Sequence, residues 1–287
     1  MTRVLVTGAT GTTGRHVVAA LRERGASVRA FVRDAARAVE VLGGDVECAV
    51  GDFEDMASLR RAMQGVDHLF LSSADGPRKV AHEAAVIDAA AATWVQRTVK
   101  LSTIGAGVGS PVGFCDWHGQ IEEHLRRSGL PAAVLRSSFY MTNLYASAEA
   151  VAGAGKLFAP AGDAKIAMIE SRDVAAAAVL LTEDGHEGRT YEVTGPDAIT
   201  YQEVAEQLSA ATGRTVEFVD LPGDAAYAAM LDSGAPQWLA ENLVALFGML
   251  RDGGGSEVTD TVRALTGHSP RGFAEFARDH AAAFGGR

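Results

Sequence analysis

The segment Gly8-Ala9-Thr10-Gly11-Thr12-Thr13-Gly14 follows directly on the apolar run Val4-Leu5-Val6 and directly opens an amphipathic stretch. Three glycines at this spacing between a strand and a helix each meet a separate physical need. Gly8 permits the tight turn, Gly11 lets the backbone approach a pyrophosphate, and Gly14 lets the helix pack closely on the strand. The free amides and positive pole of a helix starting at Thr13 then face the phosphates. Thr7, Thr10, Thr12 and Thr13 belong to the same candidate nucleotide loop.

Beyond this loop the chain alternates short Val/Leu/Ile/Ala runs with amphipathic stretches, the pattern of strand-helix-strand units and a parallel sheet. Strands are expected at Arg3 to Thr7, Ser27 to Arg33, Asp45 to Ala49, His68 to Ser72, Thr98 to Ser102 and Ala132 to Arg136. Helices are expected at Thr13 to Arg24, Ala35 to Leu42, Asp55 to Gln64, Pro77 to Thr93 and Phe114 to Ser128. Six strands with right-handed crossovers make an α/β fold, a doubly wound parallel sheet of Rossmann type.

After Arg136 the rhythm changes to a smaller, helix-rich region. Helices are expected at Tyr140 to Val151, Asp173 to Leu181, Tyr201 to Ala211, Ala225 to Leu231, Trp238 to Leu250 and Gly272 to Phe284. Short strands at Lys165 to Met168, Arg189 to Val193 and Thr215 to Val219 are expected to extend the first sheet. Gly253-Gly254-Gly255 reads as a flexible turn. The division is therefore a nucleotide-binding domain over 1–136 and a substrate-covering region over 137–287, with a soft boundary.

Composition removes several function classes. Of 287 residues, 26 are Lys or Arg and 36 are Asp or Glu, a formal net charge of -10. The basic residues form no stripe, so no direct nucleic-acid ligand is expected. The two cysteines, Cys48 and Cys115, cannot build a disulfide framework and suit a reducing compartment. The first residues carry no export signal, and charge-free stretches stay short of the roughly 18 apolar residues a membrane span needs. The expectation is a cytoplasmic protein with no membrane partner, and the scattered histidines predict no metal site.

At the end of the second strand, Phe31-Val32-Arg33-Asp34 stands where an acid would hold a ribose hydroxyl or an arginine a 2'-phosphate. Asp34 precedes a helical run and suits an N-cap. Arg33, with Arg37 one turn on, is then left for a dianionic phosphate, which favours NADP(H) over NAD(H). The ends of the next strands add Asp52 and Phe53 for the adenine, then Ser72, Ser73 and Ala74, then Ser102, because ligands in such sheets bind outside the strands' carboxyl ends.

These residues in this order resemble the NmrA-like branch of the atypical short-chain dehydrogenase/reductases. The likeness rests on Val4 to Gly11, Val32-Arg33-Asp34, Gly51-Asp52, Leu101-Ser102, Ser128-Gly129-Leu130-Pro131 leading to Leu135-Arg136, and Tyr201 to Pro222 with Ala210-Ala211-Thr212-Gly213-Arg214 at its centre. The resemblance implies NADP(H) binding, with quinone or azo-dye reductases, phenolic-product reductases and redox-sensing regulators among the members. It also implies that Ser138, Phe139 and Tyr140, in the loop after the sixth strand, hold the nicotinamide ring. Phe158, Met168, Met230, Trp238 and Phe247 are candidates for the substrate pocket.

One departure bears on mechanism. No tyrosine is followed four residues later by a lysine, so the usual proton-donating pair of short-chain reductases is missing. On the helix after the fifth strand, His118 stands where related sequences often carry a lysine or histidine. With an ordinary pKa it can donate a proton near neutrality, or it can pack or bond the ribose instead. Trp94, where the family commonly has glycine, is expected to cover apolar surface, and Cys115 to pack. The reading is an NADP(H)-dependent oxidoreductase passing hydride to a conjugated substrate such as a quinone or aromatic compound. The rival is an NADP(H)-sensing regulator acting through a protein partner without turnover. A homodimer or a regulatory partner stays open.

Overall fold

The computed structural model describes residues 2–180 and 183–286, and of residues 176–180 the backbone alone. In the first 137 residues six strands alternate with five helices: β1 (Arg3–Thr7), α1 (Gly14–Glu23), β2 (Ser27–Val32), α2 (Ala35–Leu42), β3 (Glu47–Val50), α3 (Met56–Met63), β4 (His68–Leu71), α4 (Lys79–Ala91), β5 (Arg97–Thr103), α5 (Gly113–Ser128) and β6 (Ala132–Ser137). Every expected element of this stretch is present, with ends shifted by at most two residues. Local chemistry sets several of those ends. Asp34 caps α2 by accepting from the amides of Ala36 at 2.8 Å and Arg37 at 3.1 Å, and Asp55 caps α3 through Ala57.

The remainder holds α6 (Ala148–Ala154), β7 (Lys156–Ala159), α7 (Ser171–Leu180), β8 (Thr190–Val193), α8 (Tyr201–Thr212), β9 (Glu217–Asp220), α9 (Gly223–Asp232), α10 (Gln237–Arg251), α11 (Thr261–Thr266) and α12 (Phe273–Asp279). The helix expected at Asp173 to Leu181 is α7, and Leu181 lies outside the described residues. The chain forms two compact units. One comprises Met1–Ser110, Phe114–Ser137 and Ser171–Glu192, the other Pro111–Gly113, Ser138–Glu170 and Val193–Arg287.

The central sheet is parallel and runs β3-β2-β1-β4-β5-β6-β8. Its order reverses between β1 and β4, the switch point at which such sheets open a crevice. Helices on both faces bury the inner strands, so β5 is buried over six of its seven residues. Leu5, Phe31, Leu59, Met63, Leu71, Ile87, Ile121 and Leu125 form the apolar core of this unit. Each such side chain contributes roughly 1.5 to 3 kcal/mol by leaving water.

The later region departs from expectation in several places. Of its strands only β8 joins the central sheet, whereas β9 pairs in parallel with β7, a strand the composition of Lys156–Ala159 did not announce. Lys165 to Met168 forms no strand and contributes the isolated bridge Ile166 to Ile199. The helix expected from Tyr140 begins as a 3-10 segment, Met141–Ser147, before α6. The one expected over Gly272 to Phe284 is α12 followed by a 3-10 turn. Of the triple glycine, Gly253 and Gly254 are exposed and the last residue is packed. Gly255 is buried, its carbonyl accepts from the Ala167 amide at 2.8 Å, and a Cβ there would stand 2.4 Å from a Leu250 methyl. Met141, Leu157, Ile166, Tyr201, Leu208, Phe276 and Phe284 form this unit's core.

Candidate functional site

At the switch point the loops after β1 and β4 are tied together. The Thr7 hydroxyl donates to the Ser72 carbonyl at 2.7 Å and accepts from the Ser72 amide at 2.9 Å. Thr7 is fully buried, so its hydroxyl serves this tie and not a ligand. Gly8 adopts φ +63°, and a Cβ on it would lie 3.0 Å from the Ser72 carbonyl oxygen. Gly14 is still tighter, since its Cβ would stand 2.1 Å from the Gly8 carbonyl oxygen. Gly11 and Thr12 are exposed, with Thr10 and Thr13 half-buried beside them. Unlike α2 and α3, α1 receives no side-chain cap. No side-chain cap therefore occupies the positive pole of this helix, which leaves it to an anion.

Beside it, Asp34 is spent on capping α2, which leaves Arg33 at the strand tip and Arg37 in the first turn of α2 exposed, with no ion pair to any described residue. On the next loop, the Asp52 carboxylate closes a turn by accepting from Glu54 N, and Phe53 lies 5.5 Å from both Phe31 and His82. Gly51 fits because its hydrogen faces Ser58 Oγ and Phe31, where a Cβ would come within 2.6 Å of either. The buried Ser58 hydroxyl then holds the loop through Asp52 and Asp55. These residues fit an adenine dinucleotide: a backbone cradle, two guanidiniums uncommitted to any described residue and an aromatic face.

The ends of β4 and β5 carry a buried charge network. Ala74 is exposed, whereas Ser73 donates its hydroxyl to Glu83 Oε1 at 2.8 Å, and its carbonyl accepts from Lys79 Nζ at 3.0 Å. Glu83, wholly buried, lies 3.2 Å from Lys79 Nζ and 2.8 Å from Lys100 Nζ. Lys100, also wholly buried on β5, donates to the Leu101 carbonyl and, at 3.1 Å, to Nδ1 of His118 on α5. One turn along α5, Glu122 accepts from Ser102 Oγ at 2.5 Å and from Arg136 at 3.1 and 2.6 Å. Ser102 is buried with its hydroxyl so committed.

Burial, reinforced by the charges of Lys100 and Lys79, holds the His118 imidazole well below its ordinary pKa. It is neutral at pH 7, which corrects the premise that an ordinary pKa supplies its acidity. Burial also pushes Lys100 down, Glu83 draws it partly back, and the net position is about 8. For Glu83, burial pushes upward, but the two lysines outweigh it and the carboxyl stays ionised. Burial lifts the Cys115 thiol to about 11, and its sulfur lies against the Ile104 carbonyl, so it packs as expected.

Within the second unit, Ser138 is buried and its amide donates to the Val193 carbonyl at 3.0 Å. Phe139 lies against Phe247, and Tyr140 pairs with Ile169 in an isolated parallel bridge. Met168 is buried and lines a small cavity with Met141, Ile199 and Phe273, whereas Phe158 is exposed. Phe247, half-buried, packs on Tyr201 as well, and Met230 and Trp238 are half-buried. Trp94 covers nothing. It is 89% exposed, and it stands at φ +60°, the left-handed backbone that glycine adopts without strain.

Residues 1–277 match the family model described as the NmrA-like family. The chain belongs to the NmrA-like family. It is 40% identical over 283 residues to an NAD(P)H azoreductase of Xenophilus azovorans, covering 98% of this chain and 99% of that one. Its fold is similar to that of an NADPH-dependent quinone oxidoreductase of Escherichia coli complexed with NADPH, with TM-score 0.88 and 33% identity over 96% of this chain and 99% of the other. It is similar also to a Citrobacter triphenylmethane reductase complexed with NADP(H), with TM-score 0.86 and 26% identity over 97% and 99% of the two chains.

In this NmrA-like chain, sequence reasoning passed over Lys79, Glu83 and Lys100. The signal was there: a lysine flanked by Val99 and Leu101 in an inner strand of a doubly wound sheet has no route to water and needs a buried partner. Ser58 was also passed over, because a serine one turn into a helix reads as ordinary surface. Among the described residues no helix is long and apolar enough to cross a membrane.

Proposed function

We propose that this chain is an NADP(H)-dependent reductase that passes hydride to a conjugated, electron-poor acceptor of the quinone or azo class. The observation that carries the reading is the uncapped, glycine-lined start of α1 beside Arg33 and Arg37, which pair with no described residue. That arrangement suits a pyrophosphate and a 2'-phosphate together and so favours NADP(H) over NAD(H). The reductases to which the chain is similar over nearly its whole length support the same class.

When bound, the nicotinamide supplies the hydride, and everything else falls to the chain's own residues. Gly8, Gly11 and the positive pole of α1 hold the pyrophosphate, Arg33 and Arg37 the 2'-phosphate, and Phe53 flanks the adenine. Ser138, Phe139 and Tyr140 are the residues assigned to the nicotinamide ring. With no tyrosine acid and a neutral His118, the site favours acceptors whose reduced anion is delocalised and therefore a weak base. The test is the loss of reduced-nicotinamide absorbance with NADPH and a panel of quinones and azo dyes. Turnover with at least one of them is expected. NADPH binding without oxidation by any acceptor would replace this reading with that of a regulator.

A further inference from the structure

Resting on that reductase reading, we infer that Lys100 positions His118 and stands behind it as its proton source, so that a buried Lys-His pair replaces the Tyr-x-x-x-Lys pair this chain lacks. The geometry carries the inference. An ammonium has only donors, so the 3.1 Å contact from Lys100 Nζ makes Nδ1 of His118 an acceptor. The imidazole proton then sits on Nε2. Glu83 fixes the ammonium from the other side at 2.8 Å, and Lys79, held by Ser73 and Asp75, fixes Glu83. The groups facing Lys100 are Glu83 and Lys79 from α4 and His118 and Glu122 from α5, with Asp75 beyond Lys79.

A buried ammonium is a costly way to hold one histidine in place, since desolvation favours its neutral form. That same cost makes it a competent donor, because an amine titrating at about 8 gives up its proton far more readily than one in water. The step balances as follows. The reduced acceptor anion takes the Nε2 proton of His118, and Nδ1 takes a proton from Lys100, whose N–H bond breaks to leave a neutral amine. The electron pair delivered with the hydride stays on the acceptor, and the pair resets when Nε2 takes a proton from water and Nδ1 returns its own to Lys100.

The test uses the full chain with nitrogen-15-labelled histidine, with and without NADPH. The imidazole shifts of His118 are expected to show a protonated Nε2 and a bare Nδ1, and Lys100→Met is expected to lose that preference. Lys100→Arg is expected to keep the tautomer but not the proton supply, because a guanidinium does not deprotonate in this range. In turnover, the wild-type kcat should fall as pH rises through about 8. Lys100→Met and Lys100→Arg should both lower kcat by about tenfold to a hundredfold and abolish that limb. Glu83→Gln, which keeps the donor, should move the limb to lower pH and decides the matter should Lys100→Met fail to fold.

A protonated Nδ1 in the wild type overturns the inference, as does an unchanged tautomer or an unchanged alkaline limb in Lys100→Met. Absence of turnover with every acceptor would remove the reductase reading and the proton-supply half with it. The tautomer measurement still judges the positioning half.

Discussion

Gly14 and Gly8 stand so close that a Cβ on Gly14 would lie 2.1 Å from the Gly8 carbonyl oxygen, well inside contact distance, and that atom belongs to rigid backbone. Gly14→Ala must therefore push α1 off the β1 turn. It should cost about 1 to 3 kcal/mol of stability, as overpacking does, and weaken NADPH binding with it. Gly11→Val is expected to separate the two effects. Its Cβ would meet only the Gly8 carbonyl oxygen at 3.1 Å on one side, and the residue is exposed on the other. Urea unfolding should change little while calorimetric titration loses NADPH and NADH alike. Retained affinity would make the loop a structural turn.

Arg33→Ala should weaken NADPH far more than NADH, because only NADPH carries the phosphate with which an unpaired guanidinium can bond. A lost charge-assisted contact of this kind costs roughly 1.5 to 3 kcal/mol, about tenfold to 150-fold in dissociation constant. Equal weakening of the two, measured by titration, removes the assignment.

Trp94→Gly should stabilise the protein. The indole is exposed and buries little, while its backbone holds a conformation that costs an L-residue about 1 to 2 kcal/mol. Glycine's larger unfolded-state entropy returns part of that gain, so a net rise of about 1 kcal/mol in unfolding free energy is expected. A lower urea midpoint would show that the indole has contacts of value.

Stability should decline in mild acid, partly through His118. Its pKa in the folded chain lies below the ordinary value of 6.5, so its contribution is complete above that pH and is lost as pH falls toward the depressed value. Glu83, also depressed, adds to the loss below its ordinary 4.5. His118→Gln should flatten the decline in urea midpoint between about pH 6.5 and 5. An unchanged slope in that window would place the imidazole's proton balance elsewhere.

Much of the nucleotide half was readable because its signals are local. A glycine loop, an Asp34 cap and a strand tip depend on neighbours within a few residues, and each stands where its spacing predicts. The later region was read less well for the opposite reason. Lys156–Ala159 finds its partner in Glu217–Asp220, some sixty residues away, and no periodicity within a four-residue run announces such a pairing.

The sequence by itself determined the doubly wound order of alternation, the glycine loop at its first turn, the arginines left over once Asp34 was assigned to α2, and the missing tyrosine acid. Only the tertiary structure decided that Thr7 and Ser102 spend their hydroxyls on neighbouring elements and that Trp94 faces water. It alone brought Lys79, Glu83, Lys100 and His118 together from one strand and two helices. The physical reason is that a pKa and a hydrogen-bond partner are properties of a place. Lys100 has the chemistry of an ordinary lysine until α4 and α5 close over β5, take away its water and leave it a carboxylate, an imidazole and a backbone carbonyl.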